Sequence, residues 1–497
     1  MIAHPTPLAD WVVILPVVLC LMGGAVLLML RGVVRAQRWV CGAVLLAVLV
    51  CDGILFQRVL DAGPLTMTMG NWLPPFGISF TADVMGAGFA LAAAFVSLCV
   101  LLYMQADTPE PAVRDGVYPL MLLLLAGVTG SFLTGDLFNL YVWFEVMLIA
   151  SFGLVVIAGH PLQLDAAVKY GILNFLATTL FLVALGLLYG LVGTLNMADI
   201  IGAATRADSA PLAATAALFA LAFGMKAALF PVNAWLPASY HAPPPALSAL
   251  LGGLLTKVGA YAFLRTLVML LPATRDTLGP AIAAAAMATM ILGPLSAMAE
   301  TNLRRAIGFL LIGGVGIIVL CVPQSHMFAI AGGVSYLFHA MLTLAALYLV
   351  AGLVERATGQ VDSREMHGLY SANSLISVLF LVLVFAISGL PPFLGFWPKL
   401  LLLQGFIEAG AWPAVFALLF NSLLTLIAGT RLWSHIFWRG TAERAVLPPQ
   451  PLGGAALLVG TIVLLGLWPS LFVAPAQIAA ADLLAPTRYI ASVGLSP

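Results

Sequence analysis

Charge is scarce in this 497-residue chain: 8% of residues are Asp, Glu, Lys or Arg, 62% are hydrophobic, and the mean hydropathy is +1.10. Soluble domains carry about 25% charged residues, so a water-soluble globular fold is excluded. Lysine is rarest, occurring only as Lys169, Lys226, Lys257 and Lys399. The five cysteines, Cys20, Cys41, Cys51, Cys99 and Cys321, are odd in number, lack CxxC spacing and lie in or beside apolar runs. They read as small core hydrophobes, with no disulfide framework, metal site or iron–sulfur cluster. GxGxxG after a strand, GxxxxGK[ST] and HExxH are all missing, so no cofactor or metal is expected. A formal net charge of +0 without a basic stripe gives nucleic acid no purchase.

What the chain has is apolar length. Segments of about 20 residues, enough to cross a hydrocarbon core of about 30 Å, recur roughly fourteen times. They fall near 11–30, 39–57, 84–104, 117–134, 137–159, 166–192, 211–236, 245–270, 280–300, 303–322, 327–353, 373–407, 411–435 and 452–474. The expected fold is an all-α polytopic membrane protein, one transmembrane bundle over 1–497. The longest loops, near 57–83 and 354–372, run about 20 residues, too short for a separate soluble domain. "MIAHPTPLAD" has no basic start and Arg31, Arg35 and Arg38 follow the apolar run, so the first segment reads as a retained span and not a signal peptide.

Basic residues set orientation, because Lys and Arg collect in cytoplasmic loops. Twelve, from Arg31, Arg35 and Arg38 to Arg431, Arg439 and Arg444, fall on one side, and five, Arg58, Arg206, Arg265, Arg275 and Arg488, on the other. An even number of spans then places both termini on the outer side.

The remaining basic residues, Lys226, Lys257 and Lys399, interrupt spans. Arginine keeps its proton in essentially any site, whereas burial can lower a lysine pKa from about 10.4 by 3–5 units, toward neutrality. An intramembrane charge costs several kcal/mol, so each is a functional candidate with a partner to be named. The partner candidate is Glu145 in "GDLFNLYVWFEVMLIASFGLVV", nine residues past Asp136 and therefore about 13 Å along its helix. Lys226 and Lys257, about 15 and 12 residues into their own spans, sit at a comparable depth. The plainer alternative is a static ion pair that fixes helix register.

Pro231, in "KAALFPVNAWLP", cannot donate to the carbonyl of Ala227 and must kink or break its helix beyond Lys226. A freed carbonyl in lipid has to face protein or water, so the break should line an interior polar space. A second break is expected in "FAISGLPPFLGFWPKLLLLQGF", at Gly389, Pro391 and Pro392 ahead of Lys399. Paired broken segments point to inverted repeats around a midplane site. The division is then 1–105 for spans one to three, 117–270 for a first five-helix repeat (spans 4–8), 280–435 for a second (spans 9–13) and 452–497 for the last span and tail, with helices 7 and 12 discontinuous. His339, about 12 residues into "GGVSYLFHAMLTLAALYLVAG", could hand protons between Lys257 and Lys399, since imidazole titrates near pH 6.5. His4, His160, His241, His326, His367 and His435 fall at loops or span ends, which speaks against bis-histidine haem ligation.

Glu145 in "DLFNLYVWFEVMLIAS", Lys226 and Lys257 in their stretch and Lys399 in "SGLPPFLGFWPKLLLLQG" resemble the signature regions of the proton-translocating antiporter-like family. That family comprises membrane subunits of respiratory complex I, membrane hydrogenases and Mrp-type multisubunit cation/proton antiporters. The likeness covers at least spans two to thirteen, and the wording around Glu145 and Lys257 is most similar to the Mrp branch. The resemblance implies the fourteen-helix fold with its two inverted repeats. It also implies that Glu145 pairs with Lys226, that Lys257 passes the proton across the centre and Lys399 delivers it to an exit, and that His339 links them. Thr343 stands where many relatives have lysine, and Asn302 where an aspartate often precedes the basic pair Arg304 and Arg305, read here as inner-face anchors. The expected protein is a secondary transporter subunit and not an enzyme, in a bacterial inner membrane, partnered by other antiporter subunits and moving protons against Na+ or K+. The rivals are a proton-pumping subunit of a redox-driven complex I-like or hydrogenase assembly, a self-sufficient carrier of an organic solute, and a structural scaffold.

Overall fold

The computed structural model describes residues 7–438 and 451–495; His4, Arg439 and Arg444 lie outside the described residues. Among the described residues ten helices are long and apolar enough to cross a membrane, or eleven counting the pair Leu452–Leu467 and Ser470–Leu484, bent by 76°. Three shorter apolar helices, Leu15–Met29, Val117–Leu133 and Ser374–Ser388, accompany them. The chain is a multi-pass helical membrane bundle, as its apolar runs require: in lipid a backbone can satisfy its polar groups only within itself. The loop expected near 57–83 holds the end of the Val34–Ala62 helix and two short antiparallel strands, Leu65–Thr68 and Ser79–Ala82. The last span likewise bends and continues through Ser470–Leu484 to a short helix, Thr487–Ser492.

Helix starts are set by polar caps that accept from otherwise orphaned amides. Asp83 accepts from Gly86 N (2.8 Å), Asp136 from Asn139 N (2.8 Å) and Asn302 from Arg305 N (3.0 Å). One local arrangement occurs twice. Leu137 N donates to Leu195 O (2.9 Å) and Met197 N to Gly135 O (2.8 Å); Leu303 N donates to Val361 O (3.1 Å) and Ser363 N to Thr301 O (2.8 Å). The second set lies 166 positions after the first (303 − 137, 361 − 195). The helices enclosed by these links, Pro161–Val192 and Met327–Thr358, each have 32 residues.

Two helices form the core. Pro245–Leu264, extended by a π-helical turn over Arg265–Leu270, and Met327–Thr358 are almost wholly buried and lie side by side, while Val34–Ala62 and Pro161–Val192 expose most of their surface. Arg31, Arg38, Arg114, Arg304 and Arg356 gather at one end, where Arg38 Nη2 reaches Thr108 O (3.4 Å), Arg31 Nε reaches Arg114 O (2.5 Å) and Arg356 pairs with Asp107 (2.6 Å). The strands and Arg488 mark the opposite end. Arg265, read from sequence as a residue of an outer segment, is instead sealed inside the bundle.

Candidate functional site

Both expected breaks are present. The Ser209–Ala227 helix stops one residue after Lys226, with Ala228 in the left-handed region (φ 63°), and the chain resumes as the short helix Trp235–Ser239. The groups freed around Pro231 are met by protein: Phe230 N donates to Thr289 Oγ1 (3.0 Å) and Trp235 Nε1 to Met225 O (3.0 Å). The Ser374–Ser388 helix ends at Gly389 (φ 84°), and after Pro391 and Pro392 the helix Phe396–Glu408 carries Lys399 in its first turn. The two lysines therefore lie on opposite sides of their breaks, Lys226 before and Lys399 after.

The titratable side chains on the inner helices are buried: Lys226 is 6% exposed, Lys257 1%, His339 1% and Lys399 6%. Close helix approaches bring them into sequence, because small residues let backbones touch. A Cβ on Gly259 would stand 3.0 Å from Lys226 Cβ and 2.8 Å from Ala227 N, so the Lys257 helix lies directly on the Lys226 turn. Gly253 on the same helix meets Ala345 and the carbonyl of Met341, two residues beyond His339. A Cβ on Gly395, in the second break, would stand 2.9 Å from the His339 ring and 1.9 Å from Ala386 O. Both Lys257 and Lys399 lie within electrostatic reach of the His339 ring.

The polar contacts differ along this line. Lys257 Nζ donates to Gly252 O (2.6 Å) and Thr256 Oγ1 (3.2 Å). His339 Nδ1 is held by Thr343 Oγ1 (3.0 Å), so this hydroxyl orients the ring. Lys399 Nζ donates to Ile387 O (3.2 Å), Ser388 O (2.9 Å) and Ser422 Oγ (2.9 Å), reaching back across the break to carbonyls left open at a helix C-terminus. Among the described residues Lys226 Nζ has no hydrogen-bond or ion-pair partner, and it stands 5.6 Å from the centroid of the Phe144 ring.

Glu145 does not pair with Lys226. Phe144 faces the lysine, and the neighbouring position on a helix points about 100° away, which leaves Glu145 half-buried at the side of the chain. Its carboxyl group remains within electrostatic reach of Lys226. Phe144, Phe181, Phe219 and Phe223 pack edge-on and stacked between these helices, so the approach to Lys226 is aromatic.

Sequence reasoning passed over three buried polar features. Arg265 binds Asp83 through both terminal guanidinium nitrogens (2.6 and 2.9 Å), and its spacing of eight residues after Lys257 was the available signal. Asp52 is fully buried in Val34–Ala62 with neither carboxyl oxygen hydrogen-bonded among the described residues; an acid inside an apolar run marks it by the rule that marked the lysines. Arg304 is more than a surface anchor: it pairs with Glu355 (2.8 Å) and donates to Pro243 O and Ser248 Oγ. Arg305 pairs with Glu300 (3.3 Å). Asn302, whose amide carries no charge, makes neither pair and serves as the helix cap.

Comparison with known proteins places these residues in a family. A profile described as NADH:quinone oxidoreductase/Mrp antiporter, transmembrane, matches residues 134–425. An Na(+)/H(+) antiporter subunit of Bacillus subtilis (strain 168) is 35% identical over 97% of this chain and 99% of its own. Among solved structures, a chain of the Mrp complex from Dietzia sp. DQ12-45-1b superposes with a TM-score of 0.92 at 29% identity, covering 98% of this chain and 100% of that one. A chain of the membrane-bound sulfane sulfur reductase, an archaeal respiratory membrane complex, gives 0.90 at 28% identity over 97% and 99%.

Proposed function

Since the chain belongs to the NADH:quinone oxidoreductase/Mrp antiporter transmembrane family, we propose that it is the proton-translocating subunit of a multisubunit Na+ or K+/proton antiporter. The observation that carries this reading is the file of buried Lys226, Lys257, His339 and Lys399 along helices in backbone contact, a costly arrangement for a scaffold. Glu145 acts as the movable control. Its approach holds a proton on Lys226 and its withdrawal releases it, and about 4 kcal/mol at 4 Å with an effective dielectric near 20 is worth almost three pKa units. The released proton passes to Lys257, then through His339 to Lys399, whose exit lies beyond Ser422.

Glu145 opens to the side of the chain, so its full environment includes a neighbouring subunit. The chain works within an assembly, in which the exchanged cation has its own route. The twofold pattern displaced by 166 positions, the equal 32-residue helices and the two breaks support two inverted five-helix repeats within a fourteen-span bundle. The arginine-rich end faces the cytoplasm of a bacterial inner membrane, which puts both termini outside. The likeness to the archaeal respiratory chain keeps a redox-driven pump as the second reading. In everted vesicles holding the assembled complex, added Na+ or K+ should move protons without a redox substrate. Movement only during electron transfer transfers the assignment to the redox reading.

A further inference from the structure

Lys257, Tyr261 and Arg265 follow one another at four-residue spacing, so they share one face of the central helix, and Arg265 lies about 12 Å from Lys257 along it. Arg265 opens the π-helical turn Arg265–Leu270, a rare geometry that tends to mark function. Its guanidinium and Asp83 are 1% and 2% exposed. Tyr261 Oη accepts from Arg265 Nε (3.3 Å) and Nη2 (3.0 Å) and donates to Phe132 O (3.0 Å). The Tyr261 and Tyr489 rings cover the guanidinium at 5.2 and 5.4 Å. Next to Tyr489, Arg488 is half-exposed at the strand-bearing end and holds Asp482, itself 5% exposed. A polar column thus runs from Lys257 toward the strand-bearing membrane face, apart from the line that joins the lysines.

We propose that the Asp83–Arg265 pair is the seal of this column, blocking the short route from Lys257 to the membrane face so that a proton on Lys257 leaves only toward His339. This rests on the relay reading above. Arginine suits the task because it cannot release its proton and therefore cannot relay one. Asp83 balances its charge and is itself held by Gly86 N (2.8 Å), and the two tyrosines exclude water from the pair. A fastening role alone would need burial of the pair but not a residue incapable of proton release.

The test uses the complete assembly in proteoliposomes, reading the decay of an imposed pH gradient with no Na+ or K+ present. Arg265→Lys keeps the charge and supplies a group able to release its proton; Asp83→Asn combined with Arg265→Gln removes both charges without stranding either. The seal predicts a several-fold faster decay in at least one of these, returned to the unsubstituted rate when Lys257→Ala is added. An unchanged decay in vesicles with normal amounts of complex overturns the proposal. So does a leak that survives Lys257→Ala, and so does loss of assembly in both variants, which makes the pair a fastening of the fold. Cation-dependent exchange by the unsubstituted complex and by Lys226→Ala, measured on the same vesicles, reports on the relay independently of the leak.

Discussion

The two broken helices solve one problem in opposite ways. At the second break Lys399 stands after the gap and donates to two carbonyls of the preceding half and to Ser422, so its ammonium has a full set of acceptors. At the first break Lys226 stands before the gap, and its helix end is finished by Trp235 and Thr289 without it. Lys226 is left with an aromatic face and a distant carboxylate. The contrast teaches that a break supplies acceptors only to the residue that reaches back over it. In the proposed relay Lys399 is the anchored station, and Lys226 is the one whose proton would depend on where Glu145 stands.

Substitutions can break or sharpen this contrast, beginning with the largest expected effect. Lys226→Ala or Glu145→Ala removes one member of the control pair and should lower cation-dependent proton movement in everted vesicles to under about a tenth, with assembly intact by immunoblot. Full activity in either separates the first break from the relay. Lys399→Arg keeps the charge but not the titration, and should cost nearly as much, about tenfold, in the same assay. Gly395→Ala strikes the second break alone. A Cβ there would meet Ala386 O at 1.9 Å and His339 at 2.9 Å, so less folded complex should be recovered in detergent, whereas normal recovery with full activity means that the contact is not needed. Ser422→Ala removes one of the acceptors of Lys399 and should reduce the initial rate about two- to fivefold, a net loss of about 1 kcal/mol. Thr343→Val frees His339 Nδ1 and should have the smallest effect, a shift in the pH profile of exchange with little change in its maximum.

Much of this was legible in the sequence. Both breaks were, because proline acts on its own backbone regardless of what surrounds it. So were the buried lysines, since an ammonium inside an apolar run has few explanations. The missing Glu145–Lys226 pair was not legible: which face a helix turns to its neighbour is settled by packing, here by Phe144 among Phe181, Phe219 and Phe223. Arg265 counts with the outer segments because it sits near the end of an apolar run, and only the fold shows Asp83 and Tyr489 closing over it from remote parts of the chain. The strands beside Asp83 were hidden for a related reason, since Leu65–Thr68 and Ser79–Ala82 are too short to carry an alternating pattern of their own.

The central claim is that a lysine giving up and regaining its proton at position 226 carries the current. The most direct test is Lys226→Arg in the reconstituted complex, with internal pH followed after a Na+ or K+ gradient is imposed. Charge, length and assembly are retained while proton release is lost, so the account predicts no cation-driven pH change. An exchange rate equal to that of the unsubstituted complex would contradict it.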